Sequence, residues 1–123
     1  MYDHVGLNVR DFETSKRFYD TALAVFGYGV VMEFPQACGY GPAGKPEFWI
    51  AQREPFGTGA AHVAFASADR ATVHAFHEAA LAAGGTDNGS AGIRDEYHEH
   101  YYGAFVLDPD GNNVEAVCHK PED

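Results

Sequence analysis

One segment of the chain occurs twice, and this repetition limits most strongly how the chain can fold. Residues 4–27 (HVGLNVRDFETSKRFYDTALAVFG) align without a gap with residues 62–85 (HVAFASADRATVHAFHEAALAAGG), and nine of the 24 aligned positions are identical. Only two copies fit into 123 residues, so the repeat indicates a duplicated supersecondary unit rather than a solenoid. We therefore expect two related halves.

Each copy is predicted to form a strand followed by a helix. Apolar side chains at positions 5, 7 and 9 alternate with smaller or polar ones, so the first strand has one face for packing and one that presents His4. The second copy presents His62 in the same way. Asp11 and Asp69 can each cap the helix that follows, and helical spacing of apolar residues continues to the glycines at 27, 84 and 85.

Three more strands are predicted after each helix. The segments are rich in Val, Phe, Tyr and Gly, and they are residues 27–34, 37–42 and 46–52 in the first half and residues 92–97, 100–108 and 112–119 in the second. The sequence thus predicts an α+β fold, in which two βαβββ modules of about residues 1–55 and 60–119 form a single domain over residues 1–123. Residues 56–60 (FGTGA) join the modules.

The charge of the chain excludes several classes of partner. Eight Lys and Arg residues against 18 Asp and Glu residues give a formal charge of -10, which disfavours nucleic acid and anionic membrane surfaces. No apolar run approaches the roughly 20 residues that span a bilayer, and the N-terminus has no basic segment followed by an apolar one. We therefore expect a soluble cytoplasmic protein that does not bind nucleic acid.

Glu115 is a charged residue within an apolar predicted strand. It follows a turn at residues 108–111 (DPDG) and lies between Val114 and Ala116, whose face suits the helix layer. Glu115 therefore points to the other face, where His4 and His62 can meet it if the halves are related by a two-fold axis. Two imidazoles and one carboxylate suit Fe, Mn, Co, Ni or Zn. The competing interpretation is that these side chains face solvent.

Three motifs resemble those of a known superfamily, the glyoxalase, bleomycin-resistance and extradiol-dioxygenase proteins, also called vicinal oxygen chelate proteins. They are residues 3–19 (DHVGLNVRDFETSKRFY), 62–67 (HVAFAS) and 105–117 (FVLDPDGNNVEAV). The resemblance implies a cupped mixed sheet around a metal site, with helices on its outer face. It also implies a homodimer, with His4 from one subunit and His62 and Glu115 from the partner as ligands when the site lies across the interface.

One position departs from the pattern of glyoxalase I enzymes, which carry a second glutamate as ligand and base. Residues 42–51 (PAGKPEFWIA) align without a gap with residues 109–118 (PDGNNVEAVC), and this alignment matches Phe48 with Glu115. Glu47 is adjacent, but a shift of one residue turns a side chain to the opposite face unless a bulge intervenes. Proton abstraction by a second glutamate is therefore not expected.

The segment at residues 96–105 (EYHEHYYGAF) can supply further groups to the site. His100 and Tyr102 are the candidate catalytic residues, and Phe48 and Trp49 are candidates for an apolar pocket wall. The competing interpretations are a solvated loop for the first pair and core packing for the second.

Two functions of different classes follow from these observations. Three protein ligands leave coordination positions open, as a catalytic metal requires. The first function is therefore a divalent-metal-dependent enzyme, a glyoxalase-like lyase or isomerase or a ring-cleaving dioxygenase, which acts on a small molecule with vicinal oxygens. The alternative is a non-catalytic binding protein that sequesters a drug, as bleomycin-resistance proteins do.

Overall fold

The predicted βαβββ order occurs twice along the chain, in a computed structural model that describes residues 1–121. The first module consists of β1 (Val5–Val9), α1 (Phe12–Ala24), β2 (Gly29–Phe34), β3 (Ala37–Gly41) and β4 (Phe48–Gln52). The second consists of β5 (His62–Ala66), α2 (Arg70–Ala82), β6 (Thr86–Ile93), β7 (Tyr102–Leu107) and β8 (Asn113–Cys118). The α+β fold class is therefore confirmed.

Each module forms its own four-stranded mixed sheet. The strand orders are β1-β4-β3-β2 and β5-β8-β7-β6. In both sheets the first strand of the module runs parallel to the last, and the other neighbours are antiparallel. This topology places the strand that begins with His62 directly beside the strand that carries Glu115.

The two helices begin at the predicted caps and cover one face of the sheets. The side chain of Asp11 accepts a hydrogen bond from the Thr14 amide at 3.2 Å, and that of Asp69 accepts one from the Thr72 amide at 2.8 Å. Both helices bury an apolar stripe in one shared core. Neither helix is long and apolar enough to cross a membrane.

The glycines that follow the helices have different roles in the two modules. Gly27 and Gly84 have φ angles of 81° and 102°, a left-handed conformation that ends a helix with little strain when the residue is glycine. Gly85 is needed for space, because a Cβ atom there would lie 2.4 Å from Val106 Cγ1 and 2.8 Å from Phe18 Cε1. The end of α2 thus packs closely against a helix of the other module.

The turn at residues 108–111 joins the modules through a buried carboxylate. Asp108 accepts hydrogen bonds from the Tyr19 hydroxyl at 2.6 Å and from the backbone amides of Asp110 and Asn112 at 2.9 and 2.8 Å. Asp110 in turn accepts one from the Arg10 amide at 3.1 Å. These contacts fix the start of β8 against β1 and α1.

One strand lies elsewhere than predicted. We expected a strand at residues 92–97, but β6 is Thr86–Ile93, and the chain then turns until Arg94 N donates to Tyr101 O at 2.7 Å. The sequence of β6 is TDNGSAGI, which lacks the alternating apolar residues that mark a strand. Its pairing with β7 also shifts register twice, between Asp87 and Gly89 and between Gly89 and Gly92.

Candidate functional site

Glu115 is fully buried on the face of the second sheet that faces away from the helices. Its neighbours Val114 and Ala116 belong to the core under α2, so the alternation of the strand turns Glu115 the other way. Gly103 on β7 leaves room for it, because a Cβ atom there would lie 3.3 Å from Glu115 Oε2. The sheet therefore holds a carboxylate on its helix-free face.

The two oxygens of Glu115 have different partners. His62 Nε2 lies 2.7 Å from Oε1, and the Tyr101 hydroxyl donates a hydrogen bond to Oε2. The side chain of His62 is 53% exposed, so this imidazole connects the buried carboxylate to the surface. Within residues 1–121, no lysine or arginine forms an ion pair with Glu115. Burial of such a carboxylate without a fixed cation is unfavourable for folding.

Tyr101 is held between Glu115 and two aromatic rings. Its ring centroid lies 5.1 Å from that of Tyr97 and 5.2 Å from that of His119. Burial raises the pKa of Tyr101, and the hydrogen bond and the negative charge of Glu115 raise it further. Tyr101 therefore stays protonated at neutral pH and acts as a hydrogen-bond donor to Glu115.

His4 lies apart from this pair, at the start of the first sheet. It is exposed, and its Nδ1 lies 2.8 Å from Asp3 Oδ1. Within residues 1–121, no group of three or more His, Cys, Asp or Glu side chains is placed to hold a metal ion. A single chain thus brings His62 and Glu115 together and leaves His4 on the other sheet.

His4 lines an open cleft of about 430 Å³ on the first sheet. Phe34 and Trp49 form one wall of this cleft, with ring centroids 6.3 Å apart and planes inclined by 23°. Asn8 and Arg53 also line it. The cleft therefore combines an aromatic surface with one imidazole and one guanidinium.

Phe48 belongs to the core and Trp49 to the cleft. Phe48 is buried, and its ring lies 5.0 Å from that of Tyr19 and 5.3 Å from that of Phe65. Core packing, the competing interpretation for this pair, is thus the environment of Phe48, whereas Trp49 lies on the opposite face of β4 beside His4.

Trp49 also occupies the position that corresponds to Glu115. Gly6 pairs with Trp49 as Ala64 pairs with Glu115, and Gly6 and Ala64 are equivalent in the repeat. The gap-free alignment that matched Phe48 with Glu115 is therefore wrong by one residue. The two connections have equal length between equivalent positions, because Tyr40 pairs with Phe48 as Val106 pairs with Val114. The error therefore comes from matching the turn residues at 42–44 with those at 109–111 and not from an insertion.

Glu47 lies outside the cleft of His4. It precedes β4 and lines a smaller cleft with Tyr28 and Phe65. Burial raises the pKa of Tyr28, and the charge of Glu47 raises it further.

His100 and Tyr102 do not contact Glu115. His100 is exposed in the turn before β7, with a φ of 61°, and its Nε2 lies 3.4 Å from Glu99 Oε1. The Tyr102 hydroxyl lies 2.6 Å from Nε2 of His74 on α2, so this side chain faces the helix. Sequence reasoning counted Tyr101 among the possible donors of this segment but preferred His100 and Tyr102. Alternation with Gly103 and Phe105, which pairs with Glu115, is the signal that could have selected Tyr101.

A comparison with protein families agrees with the two-module fold described above. The family model of the Glyoxalase/Bleomycin resistance protein/Dioxygenase superfamily matches residues 2–116. The chain belongs to this superfamily. The resemblance noted in the three sequence motifs is thereby confirmed.

Solved structures of the superfamily have the same fold. A glyoxalase/bleomycin resistance protein from Albidiferax ferrireducens T118 is 32% identical, with a TM-score of 0.86 over 96% of this chain and 98% of that one. A glyoxalase/bleomycin resistance protein/dioxygenase family enzyme from Burkholderia phytofirmans PsJN is 22% identical, with a TM-score of 0.75 and coverage of 96% and 98%. Lactoylglutathione lyase from Agrobacterium tumefaciens is 19% identical, with a TM-score of 0.69 and coverage of 96% and 92%. No curated protein matches the chain.

The superfamily implies a divalent metal, and the residues around Glu115 fit one in part. An imidazole nitrogen and a carboxylate oxygen on neighbouring strands lie 2.7 Å apart, which provides two donors of the kinds that Fe, Mn, Co, Ni and Zn accept. A divalent ion would also compensate the buried charge of Glu115. A third protein ligand has to come from outside this pair.

Proposed function

We propose that this superfamily member is a divalent-metal-dependent enzyme that acts on a small molecule with vicinal oxygens. The reaction would be that of a glyoxalase-like lyase or isomerase, or a ring-cleaving dioxygenase. The observation that carries the proposal is the fully buried carboxylate of Glu115 beside His62 on the helix-free face. Buried charges of this kind are concentrated at functional sites, because they are unfavourable for stability.

The complete ligand set is proposed to form across a cytoplasmic homodimer. His62 and Glu115 would hold one ion together with His4 from the partner subunit, because His4 lies on a separate sheet of its own chain. Large apolar side chains that a monomer would leave in water support an interface between copies. They include Val30, Met32, Ile93 and Tyr97.

The bound ion would act as a Lewis acid on the substrate oxygens. Tyr101 is proposed to orient Glu115, since its hydroxyl donates to Oε2 and its raised pKa keeps the proton on the tyrosine. This assigns to Tyr101 the supporting role that the sequence suggested for His100 and Tyr102. Because Trp49 stands where a second glutamate would lie, the proposed site lacks the base of standard glyoxalase I enzymes.

Metal content tests the proposal directly. We expect protein purified without chelators or a metal-affinity tag to retain close to one Fe, Mn, Co, Ni or Zn ion per chain, measured by elemental analysis. The reason is that Glu115 and His62 supply preformed donors. Absence of metal, even after incubation with each ion, would overturn the enzyme proposed here.

A comparison of Tyr101→Phe with Tyr102→Phe separates the role of Tyr101 in orienting Glu115 from general effects of losing a tyrosine hydroxyl. Tyr101→Phe is expected to weaken metal affinity by about tenfold, the usual effect of losing a group that orients a ligand. Tyr102→Phe should leave the affinity unchanged, because its hydroxyl contacts His74 instead. Competition against a chelating dye measures both, and equal losses in the two variants would contradict the assignment.

A second candidate function is a bleomycin-resistance-like binding protein. The open cleft with the stacked rings of Phe34 and Trp49 favours it, since such a surface can bind a ligand without a metal. This candidate predicts that tight binding of a small ligand survives the substitution Glu115→Gln.

A further inference from the structure

We propose that the cleft on the first sheet recognises an aromatic carboxylate, with its ring against Trp49 and Phe34 and its carboxylate at Arg53. The inference rests on the proposed function and names the substrate class of that site. The cleft lies around His4, so a molecule bound there would lie beside the imidazole that is proposed to complete the metal site.

The aromatic part of the inference rests on Trp49 and Phe34. Their rings are nearly parallel, and residue Phe34 is 54% exposed. Gly39 on β3 makes this arrangement possible, because a Cβ atom there would lie 2.8 Å from Trp49 Cε2. An exposed aromatic surface of this shape favours a flat apolar ring over a branched or purely polar ligand.

The charged part rests on Arg53. In a chain with a formal charge of -10, three other cationic side chains are paired with carboxylates. Such pairs are Lys16–Asp20 at 2.9 Å, Lys45–Asp3 at 3.3 Å and Arg10–Asp110 at 3.9 Å. Within residues 1–121, Arg53 forms no ion pair, and it lines the cleft. A guanidinium in that position can bind a carboxylate through two parallel hydrogen bonds.

The surroundings of the cleft do not oppose an anion. Trp49 replaces the carboxylate that the corresponding position of the second sheet carries, so this side of the site has an aromatic face in place of a negative charge. Among residues 1–121, no Asp or Glu lines the cleft. The nearby Asp3 carboxylate is compensated by Lys45, with Nζ 3.3 Å from Oδ2. The volume of about 430 Å³ falls in the range of small-ligand sites.

The single tryptophan of the chain makes the inference measurable, because emission from Trp49 reports on the cleft alone. Full-length protein treated with chelator is titrated with benzoate and phenylacetate, and with cyclohexanecarboxylate and benzyl alcohol as comparators. We expect the two aromatic acids to change the emission to saturation. Cyclohexanecarboxylate lacks the aromatic ring and benzyl alcohol lacks the charge, so each should bind about tenfold more weakly.

Substitutions at Arg53 test the charge. Arg53→Gln is expected to weaken benzoate binding by about tenfold and to leave benzyl alcohol unaffected, whereas Arg53→Lys should retain part of the affinity. Arg17→Gln is the matched control, since Arg17 is an exposed arginine on α1 outside the cleft. Equal binding of benzoate and cyclohexanecarboxylate, an unchanged affinity in Arg53→Gln, or no change of emission would each overturn the proposal.

The same titration in Glu115→Gln separates this inference from the metal site. Binding of benzoate to that variant, combined with absence of metal in the wild type, would retain the aromatic acid site and reject the enzyme. Retention of metal in the wild type without binding of benzoate would retain the proposed enzyme and reject the aromatic acid site.

Discussion

Replacement of Glu115 by Gln is expected to remove the metal while leaving the metal-free protein as stable as the wild type or more stable. The two effects have opposite signs because Glu115 is buried without an ion pair to lysine or arginine within residues 1–121. An amide of the same shape can still accept from Tyr101 and no longer carries a buried charge. As a metal ligand it is far weaker than a carboxylate.

The expected sizes are a loss of at least about 100-fold in metal affinity and a change within about 1 kcal/mol in the free energy of unfolding. Competition with a chelating dye measures the first, and urea unfolding in the presence of chelator measures the second. A large loss of stability in Glu115→Gln with unchanged metal affinity would assign Glu115 to the fold and not to a site.

Asp108 provides the matched control, because it is also a buried carboxylate, and within residues 1–121 the hydrogen-bond partners of its side chain are donors. Tyr19, Asp110 and Asn112 all donate to its oxygens. In Asp108→Asn the new amide group has to face one of these donors, so a loss of about 1–3 kcal/mol in the free energy of unfolding is expected. Metal affinity should stay unchanged.

Much of the fold could be predicted because its determinants are local in sequence. The duplicated strand and helix, the caps at Asp11 and Asp69 and the turn at residues 108–111 each depend on a few neighbouring residues. The alternation around Glu115 likewise predicted the face to which its side chain points. These features form from nearby residues and do not depend on the positions of residues distant in sequence.

The predictions that were wrong concern features that depend on residues distant in sequence. The location of β6 could not be found because a strand with Gly89 and Gly92 is held by its pairing with β7 and not by its own side chains. The equivalence of Trp49 with Glu115 depends on strand pairing, in which Trp49 lies beside Gly6 as Glu115 lies beside Ala64. The similar Pro and Gly residues of the two turns, at 42–44 and 109–111, suggest instead an alignment that is wrong by one residue. Tyr101 becomes recognisable only when the register of β7 against β8 is known.

Whether His4 meets His62 and Glu115 depends on how two chains associate, which the structure of a single chain does not define. In each sheet the first strand lies beside the last, so β5 places His62 next to Glu115, and β1 places His4 next to the cleft of Trp49. Each chain therefore offers two different half-sites. A metal site and a substrate cleft would adjoin where the half-sites of two chains face each other.

A mixture of two defective variants is expected to recover metal that neither retains alone. His4→Ala and His62→Ala should each lose the ion, because every site then lacks one of three ligands. In a heterodimer of the two, one site combines the intact His4 of one chain with the intact His62 and Glu115 of the other. An equal mixture that exchanges subunits freely should therefore regain about a quarter of the wild-type metal content.

A second mixture serves as the control for this exchange. His62→Ala and Glu115→Gln alter the same half-site, so each site of their heterodimer lacks a ligand and no metal should return. Elemental analysis of heterodimers isolated by two different affinity tags, removed before measurement, tests both mixtures. One of the two sites is complete in the first heterodimer, so half of the wild-type metal content is expected there and none in the control. If His4→Ala with His62→Ala regains no metal in verified heterodimers, His4 does not complete the site of the partner. If the control regains as much as the first mixture, the ligands do not divide between chains as proposed. Only a division that puts His4 opposite His62 and Glu115 returns metal to the first mixture and none to the control.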